Sequence, residues 1–338
     1  MSTTKELENI EPQTAVQMYL QEKGRECTEW TVYSHDSRLS HFIEWCDSEG
    51  IQNLNDLTGR DLHRYKLWRG EDINKVTLKT QMDTLRVFIR FCERIDAVTE
   101  DLSESVLSPN ITKEENSKDE MLDKEVAEKI LSYVDKYDYA TNKHVTLILM
   151  WRTGMRVGAI HALDVDDYDS EGQYIHPRHR PETGTGLKNK QAGERYISLS
   201  SETCAVLNDY IEDQRHNVTD DSGRAPLIAT AHGRPHTTTL RKWTYIYTQP
   251  CSIGADCPHG RDPETCEANN YDKPYQCPSS RSPHAVRRGA ITSWLQNDTP
   301  PRAVSDRVNS SEEVIEQHYD ERTEIQKMKQ RRQYFDSS

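Results

Sequence analysis

The chain has 338 residues, of which 34% are hydrophobic, and a mean hydropathy of −0.90, enough apolar material for two modest cores under a very polar surface. No apolar run approaches the roughly 20 residues of a bilayer span, and the opening Met1-Ser2-Thr3-Thr4-Lys5-Glu6 lacks an apolar signal core, which predicts a cytoplasmic protein with no membrane partner. Asp and Glu number 56 against 43 Lys and Arg, a net charge of −13, opposite in sign to the usual nucleic-acid binder.

Residues 1–102 read as a helical domain. Pro12 opens a helix through Val16, Tyr19 and Leu20. Thr28 or Thr31 starts a second, with Leu39, Phe42, Ile43 and Cys46 at helical spacing and Gly50 where a C-terminal cap belongs. Thr58 can cap a third carrying Leu62 and Tyr65, and a fourth has Leu78, Met82, Leu85, Ile89 and Cys92 on one stripe. Residues 103–120, among them Lys113, Glu114, Glu115, Asn116, Ser117 and Lys118, offer little to bury and read as a linker.

Residues 121–338 read as a second, mixed domain. Asp123 can cap a helix with Val126, Ile130, Leu131 and Val134, and Thr141 to Arg152 is apolar on almost every face, as a core helix should be. Gly154 ends that helix and another begins near Arg156. The period then changes: Gln173–His176 and Arg195–Leu199 look like strands around a Gly/Lys-rich turn. Helices return after Ser200 or Ser201, around Ala285–Leu295 and over Ser311–His318. The fold class is thus mainly α with a small β-hairpin or sheet.

Three local frames carry chemistry. Thr153-Gly154-Met155-Arg156 sets an arginine just past a glycine turn, which aims it into a cleft between helices. His284-Ala285-Val286-Arg287 puts a histidine and an arginine on one helix face. Gln317-His318-Tyr319-Asp320 holds a tyrosine near a short helix end. Two guanidinium groups can clamp phosphate oxygens, an imidazole can move protons, and a phenol can become a covalent ester. Around them Arg281, Arg287, Arg288, Arg302 and Arg307 form a cationic stretch, so the acid is expected on other faces. Strong acidic excess is also the style of proteins from salt-loaded, halophilic cytoplasm.

In this order the frames resemble the tyrosine recombinase (phage integrase) family, in its Xer-like form. The resemblance implies that Arg156 and Arg287 clamp the scissile phosphate, that His284 handles protons, and that Tyr319 is the nucleophile, 35 residues after His284. It implies a hairpin lysine that protonates the leaving 5′-oxygen; Lys188 is preferred to Lys190. A position nine before the tyrosine, His or Trp in the family, is Ser310, and an acidic position three after the first arginine is Ala159. Ser310 can still donate a hydrogen bond to phosphate. The implied function is site-specific cutting and rejoining of duplex DNA through a 3′-phosphotyrosyl intermediate, with no cofactor for catalysis. A helical core-binding domain would clamp the DNA, and dimers to tetramers would assemble on it. The alternative is a weak or inactive relative that only binds DNA. Whether Tyr319 acts on its own chain's site or a neighbour's stays open, and the basic segment from Glu324 to Tyr334 is either a helix exchanged between protomers or a solvated tail.

Of the eight cysteines, Cys27, Cys46, Cys92 and Cys204 are dispersed, whereas Cys251, Cys257, Cys266 and Cys277 cluster in a polar insert at about 250–278. Such a stretch has no apolar core for thiols to join. A structural Zn²⁺ on the four thiols is expected, with His259 as a substitute ligand; unligated cysteines and a redox role are the other readings.

Overall fold

The structure, a computed structural model, describes residues 7–112, 115, 120–319 and 323–335. Asp320, together with Lys113, Glu114, Asn116, Ser117 and Lys118 of the expected linker, lies outside these. Backbone contacts divide the chain into two units, Met1–Lys118 and Asp119–Ser338.

The first unit contains α1 (Pro12–Glu26), α2 (Glu29–Glu49), α3 (Gly59–Gly70) and α4 (Lys75–Arg94). Each start has a local cause. Pro12 occupies the first turn of α1, where no N–H is needed. The side chains of Thr28 and Asn74 accept from the N–H groups of Thr31 and Thr77, and Thr58 with Asp61 forms a reciprocal capping box. The helical stripes meet in one core, where Trp45 and Phe88 join Leu39, Phe42, Tyr65, Met82 and Leu85. The linker reading needs correcting at its start. Leu102–Ser105 is a 3₁₀ turn, Ser103 and Val106 are buried, and the Arg86 guanidinium donates to the Val106 carbonyl at 2.6 and 3.0 Å. A long-range arginine contact, invisible in local composition, ties this stretch to the bundle.

In the second unit α6 (Asn142–Thr153) is central, with every residue from His144 to Trp151 buried. Around it pack α5 (Lys124–Tyr137), α7 (Val157–Ala162), α8 (Ser201–Asp209), α9 (Thr237–Tyr247) and α10 (Pro283–Gln296). Asp123 precedes α5 without making the expected side-chain cap. Two helices go beyond the elements expected, α9 and α11 (Pro301–Val308). Thr237-Thr238-Thr239 is β-branched and reads poorly as helix, but the His236 ring caps it and Leu240, Trp243 and Tyr247 are buried on one stripe. The chain continues through α12 (Glu312–His318) and α13 (Glu324–Phe335). Among the described residues no helix is long and apolar enough to cross a membrane.

The sheet is antiparallel in the order β1 (Tyr168–Asp169), β2 (Tyr174–Ile175), β3 (Ile197–Ser198). The pairing of β2 with β3 agrees with the expected strands, yet both are two residues long and the 176–196 segment is a folded loop with 3₁₀ turns at Pro181–Thr183 and Lys190–Gly193. Side chains capture the backbone that a ladder would use: the His179 N–H donates to Glu194 at 2.8 Å, and the Leu187 N–H donates to His179 Nδ1 at 2.8 Å. Arg180 anchors the loop base, donating to both oxygens of Asp167 at 2.9 and 2.6 Å.

Candidate active site

Gly154 ends α6 in the left-handed region, at φ +60°, and a Cβ there would meet Trp294 at 2.9 Å and Val308 at 3.0 Å. Only glycine lets α10 and α11 approach this closely. The turn delivers Arg156 to the start of α7, where its Nη1 donates to the Asn309 carbonyl at 2.9 Å. Arg287 projects from α10 and is 2% exposed; its Nη1 and Nη2 donate to the carbonyls of Gly154 at 2.6 Å and Val308 at 3.0 Å. Two further arginines join them. Arg195 donates to the Arg307 carbonyl at 2.6 Å, and Arg307 to those of Arg152 and Ser198 at 2.8 and 3.0 Å.

Among the described residues no carboxylate pairs with Arg156, Arg195, Arg287 or Arg307. The crowding is electrostatically costly. Burial, then the charges of Arg287, Arg156 and Arg307, bring Arg195 down to about 10; burial and then Arg156 bring Arg287 down to about 10. Burial also lowers Arg156, with Tyr319 opposing, and lowers Arg307. At neutral pH all four stay charged, so the cluster is a concentrated positive field balanced mainly by backbone carbonyls. A second arginine group in the same unit makes the contrast. Arg180, Arg224 and Arg234 pair with Asp164, Asp167 and Asp220, with Asp164 contacting all three. Those charges are paired within the fold, whereas among the described residues the first cluster has no carboxylate partner.

Tyr319 closes this cluster. Its backbone N–H donates to Ile315 at 3.0 Å and its carbonyl accepts from Thr292 Oγ1 at 3.1 Å. The residue is 6% exposed in an apolar group with Ile291, Leu295, Val304, Val308 and Ile315, and its side chain is a hydrogen-bond partner of Arg287. The His284 and Tyr319 ring centres lie 6.4 Å apart. His284 is held below its ordinary value first by loss of water and then by Arg287, Arg156, Arg288 and Lys188. It keeps an accessible edge in spite of that.

Lys188 is exposed on the 176–196 loop and within electrostatic range of His284, while Lys190 occupies a left-handed turn position at φ 52°. Asn309 links this loop to the arginines: left-handed at φ 51° past the end of α11, it bonds Asn189 and the Ala192 carbonyl through its side chain and Arg156 through its carbonyl. Ser310 follows it, half-buried, its N–H donating to Ser305 at 3.2 Å and its carbonyl accepting from Ser305 Oγ at 2.6 Å. Ala159 packs against the core, so the Asn309 carbonyl takes the place of an acid in orienting Arg156.

The expected Arg156, Lys188, His284, Arg287, Ser310 and Tyr319 thus come together from five separate stretches. Arg281 does not join them; it donates to the carbonyls of Met121, Pro278 and Ser280. Arg302 is exposed on α11. Sequence reasoning missed Arg195 and Asn309. The only available signal for Asn309 was an asparagine just past a helix, where the left-handed position is common. Cys251, Cys257, Cys266 and Cys277 gather apart from this site, lining one cavity with His259.

Comparison with known proteins agrees with the fold. The model of the phage integrase family matches residues 120–244. The tyrosine recombinase XerC of Lactobacillus delbrueckii subsp. bulgaricus is 24% identical over 193 residues, 56% of this chain and 61% of that protein, so the chain spans under two thirds of that relative's length. The structure of the Tn1549 transposon integrase in complex with transposon right end DNA aligns with a TM-score of 0.64 at 15% identity, covering 96% of this chain and 99% of that one. A lambda integrase dimer bound to a COC′ core site aligns with a TM-score of 0.63 at 12% identity, covering 94% and 97%. Residues 120–244 of the chain thus resemble the phage integrase family.

Proposed function

We propose that this protein is a site-specific DNA recombinase that cuts and rejoins duplex DNA through a 3′-phosphotyrosyl intermediate. One observation carries the reading: among the described residues four clustered arginines have no carboxylate partner, and one of them, Arg287, is hydrogen-bonded to Tyr319. The missing counter-charge is a backbone phosphate. Arg287 has five N–H donors and spends two on carbonyls, which leaves donors for phosphate once Tyr319 turns to the phosphorus. Tyr319 Oη forms the new P–O bond as the bond to the 5′-oxygen breaks. The phenolic proton passes to His284 and the leaving oxygen takes a proton from Lys188, while Arg156 and Arg287 stabilise the charge on the pentavalent phosphorus. Ser310 donates to a non-bridging oxygen, and no cofactor enters. The reverse attack by another 5′-hydroxyl completes strand exchange.

Tyr319 sits beside the arginines of its own chain, which favours cleavage in cis. Helix α13 carries exposed Ile325 and Met328, suited to a helix given to a second copy in a dimer or tetramer on DNA. The test is incubation with nicked duplexes taken from DNA flanking the protein's own reading frame, in concentrated KCl. A trapped covalent adduct in the wild type and none in Tyr319→Phe is the expected result. DNA binding without adduct in both is what an idle relative would give, a reading that Ala159 and Ser310 favour, and it would overturn this one.

The lowered value of His284 sets the pH response. Because the midpoint of its protonation lies below the ordinary value of about 6.5, the neutral base predominates at pH 7 and is lost as acid takes the solution through the depressed value. The rate of adduct formation at limiting DNA, which reports the free protein, should fall in acid along a limb whose midpoint lies below about 6.5. His284→Gln should be slower and without this acid limb. An acid limb in the wild type that begins well above the ordinary histidine value would contradict the assignment.

A further inference from the structure

The segment from Pro250 to Ser280 has almost nothing apolar to hold it: Ala268, Pro274 and Ser280 are its buried residues. Its backbone is nonetheless tightly turned, and every one of its four cysteines opens a turn. The carbonyls of Cys251, Cys257, Cys266 and Cys277 accept from the N–H groups three residues on, those of Gly254, Gly260, Asn269 and Ser280, at 3.3, 3.3, 3.0 and 3.0 Å. Turns of this kind point backbone N–H groups towards negative charge at their opening. All four thiols are unpaired and border one cavity of about 10 Å³, roughly the room of a single water or ion.

We propose that Cys251, Cys257, Cys266 and Cys277 hold one structural Zn²⁺ in a tetrahedral thiolate site that takes the place of a hydrophobic core in this insert. The donor set fits: four soft sulfurs and no catalytic vacancy select zinc in a closed structural role. Among the described residues no group of three or more His, Cys, Asp or Glu is already set to hold a metal, so binding would draw together the four thiols that border the cavity. His259 is engaged elsewhere, its Nε2 sharing a hydrogen bond with Ser279 Oγ at 2.8 Å. The ion's effect reaches the main body through fixed ends. Gln249 Nε2 donates to the carbonyls of Ala268 and Pro274, Ser280 Oγ donates to the Tyr245 carbonyl on α9, and the Arg281 N–H donates to Thr248 Oγ1. Cys277 lies seven residues before His284, so the closed insert fixes where α10 begins.

This site is independent of the reading of the arginine cluster, since a folded but inactive chain would still bind the ion. The full chain, purified from zinc-supplied cells and desalted against a weak chelator, should contain one zinc per molecule by elemental analysis. Replacing it with cobalt(II) should give the intense visible bands of tetrahedral thiolate coordination. Cys266→Ser and Cys277→Ser should lose the metal, while Cys27→Ser, in the other unit, should keep it. If the serine variants do not fold, the stoichiometry and cobalt spectrum of the wild type decide alone. A folded wild-type chain without metal, a pair of disulfides among these cysteines, or iron with sulfide would each overturn the proposal.

Discussion

Arg287→Lys should lower the rate of covalent adduct formation by about a hundred- to a thousand-fold, the usual cost of one misplaced transition-state donor. The buried guanidinium joins three elements at once: the α6 terminus through Gly154, the α11 terminus through Val308, and Tyr319. Lysine keeps the charge but replaces a planar fork with a point, so it cannot bridge two carbonyls and still present a flat pair of donors to phosphate. The fold should survive, at a cost of about 1–3 kcal/mol for the buried hydrogen bonds that are lost. Single-turnover cleavage and a thermal melt separate the two effects. Cleavage within about threefold of wild type, against the loss argued from preorganised donors, would show that Arg287 is structural only.

The largest stability effect is expected at Gly289, within α10. A Cβ there would lie 1.9 Å from the Leu122 carbonyl oxygen and 2.9 Å from its carbon, backbone atoms that no rotamer change can move aside. The segment before α5 crosses α10 at this point, with the Leu122 N–H donating to the Ala285 carbonyl at 3.1 Å and Met121 accepting from Arg281 at 3.2 Å. Alanine gains about 1 kcal/mol of helix propensity over glycine, yet displacing the crossing segment should outweigh it and leave a net loss of about 3 kcal/mol. For a unit of this size that is a fall in Tm of about 6–12 °C. Gly158→Ala is the internal control: nothing lies within 4 Å of its Cβ, and it should be neutral or slightly stabilising. Gly289→Ala melting at or above wild type would refute the close crossing.

The helices of the first unit were legible because one start carries a proline and three a capping residue, and the core faces carry regular stripes. Thr28, Thr58 and Asn74 cap as local chemistry dictates, and Gly50 adopts the left-handed C-terminal conformation at φ 71°. The site's arginines, histidine and tyrosine were legible as local frames, and the turn at Gly154 explains why one of those frames works. What could not be read is what depends on partners far away in sequence. The 176–196 loop is shaped by Arg180 and its aspartates rather than by strand propensity. Arg195 acquires its meaning only beside Arg156, Arg287 and Arg307. The acidic balance alone says little here, since a net −13 describes the whole chain and not where its unpaired cations collect.

The most direct measurement locates the bond itself. The trapped protein–DNA adduct would be digested with protease and nuclease, and the modified peptide sequenced by mass spectrometry, with the freed DNA end assayed in parallel. The account predicts a phosphate ester on Tyr319 derived from the 3′ side of the break, and a 5′-hydroxyl on the other strand end. An ester on any other residue, or attachment to a 5′-phosphate, would contradict it.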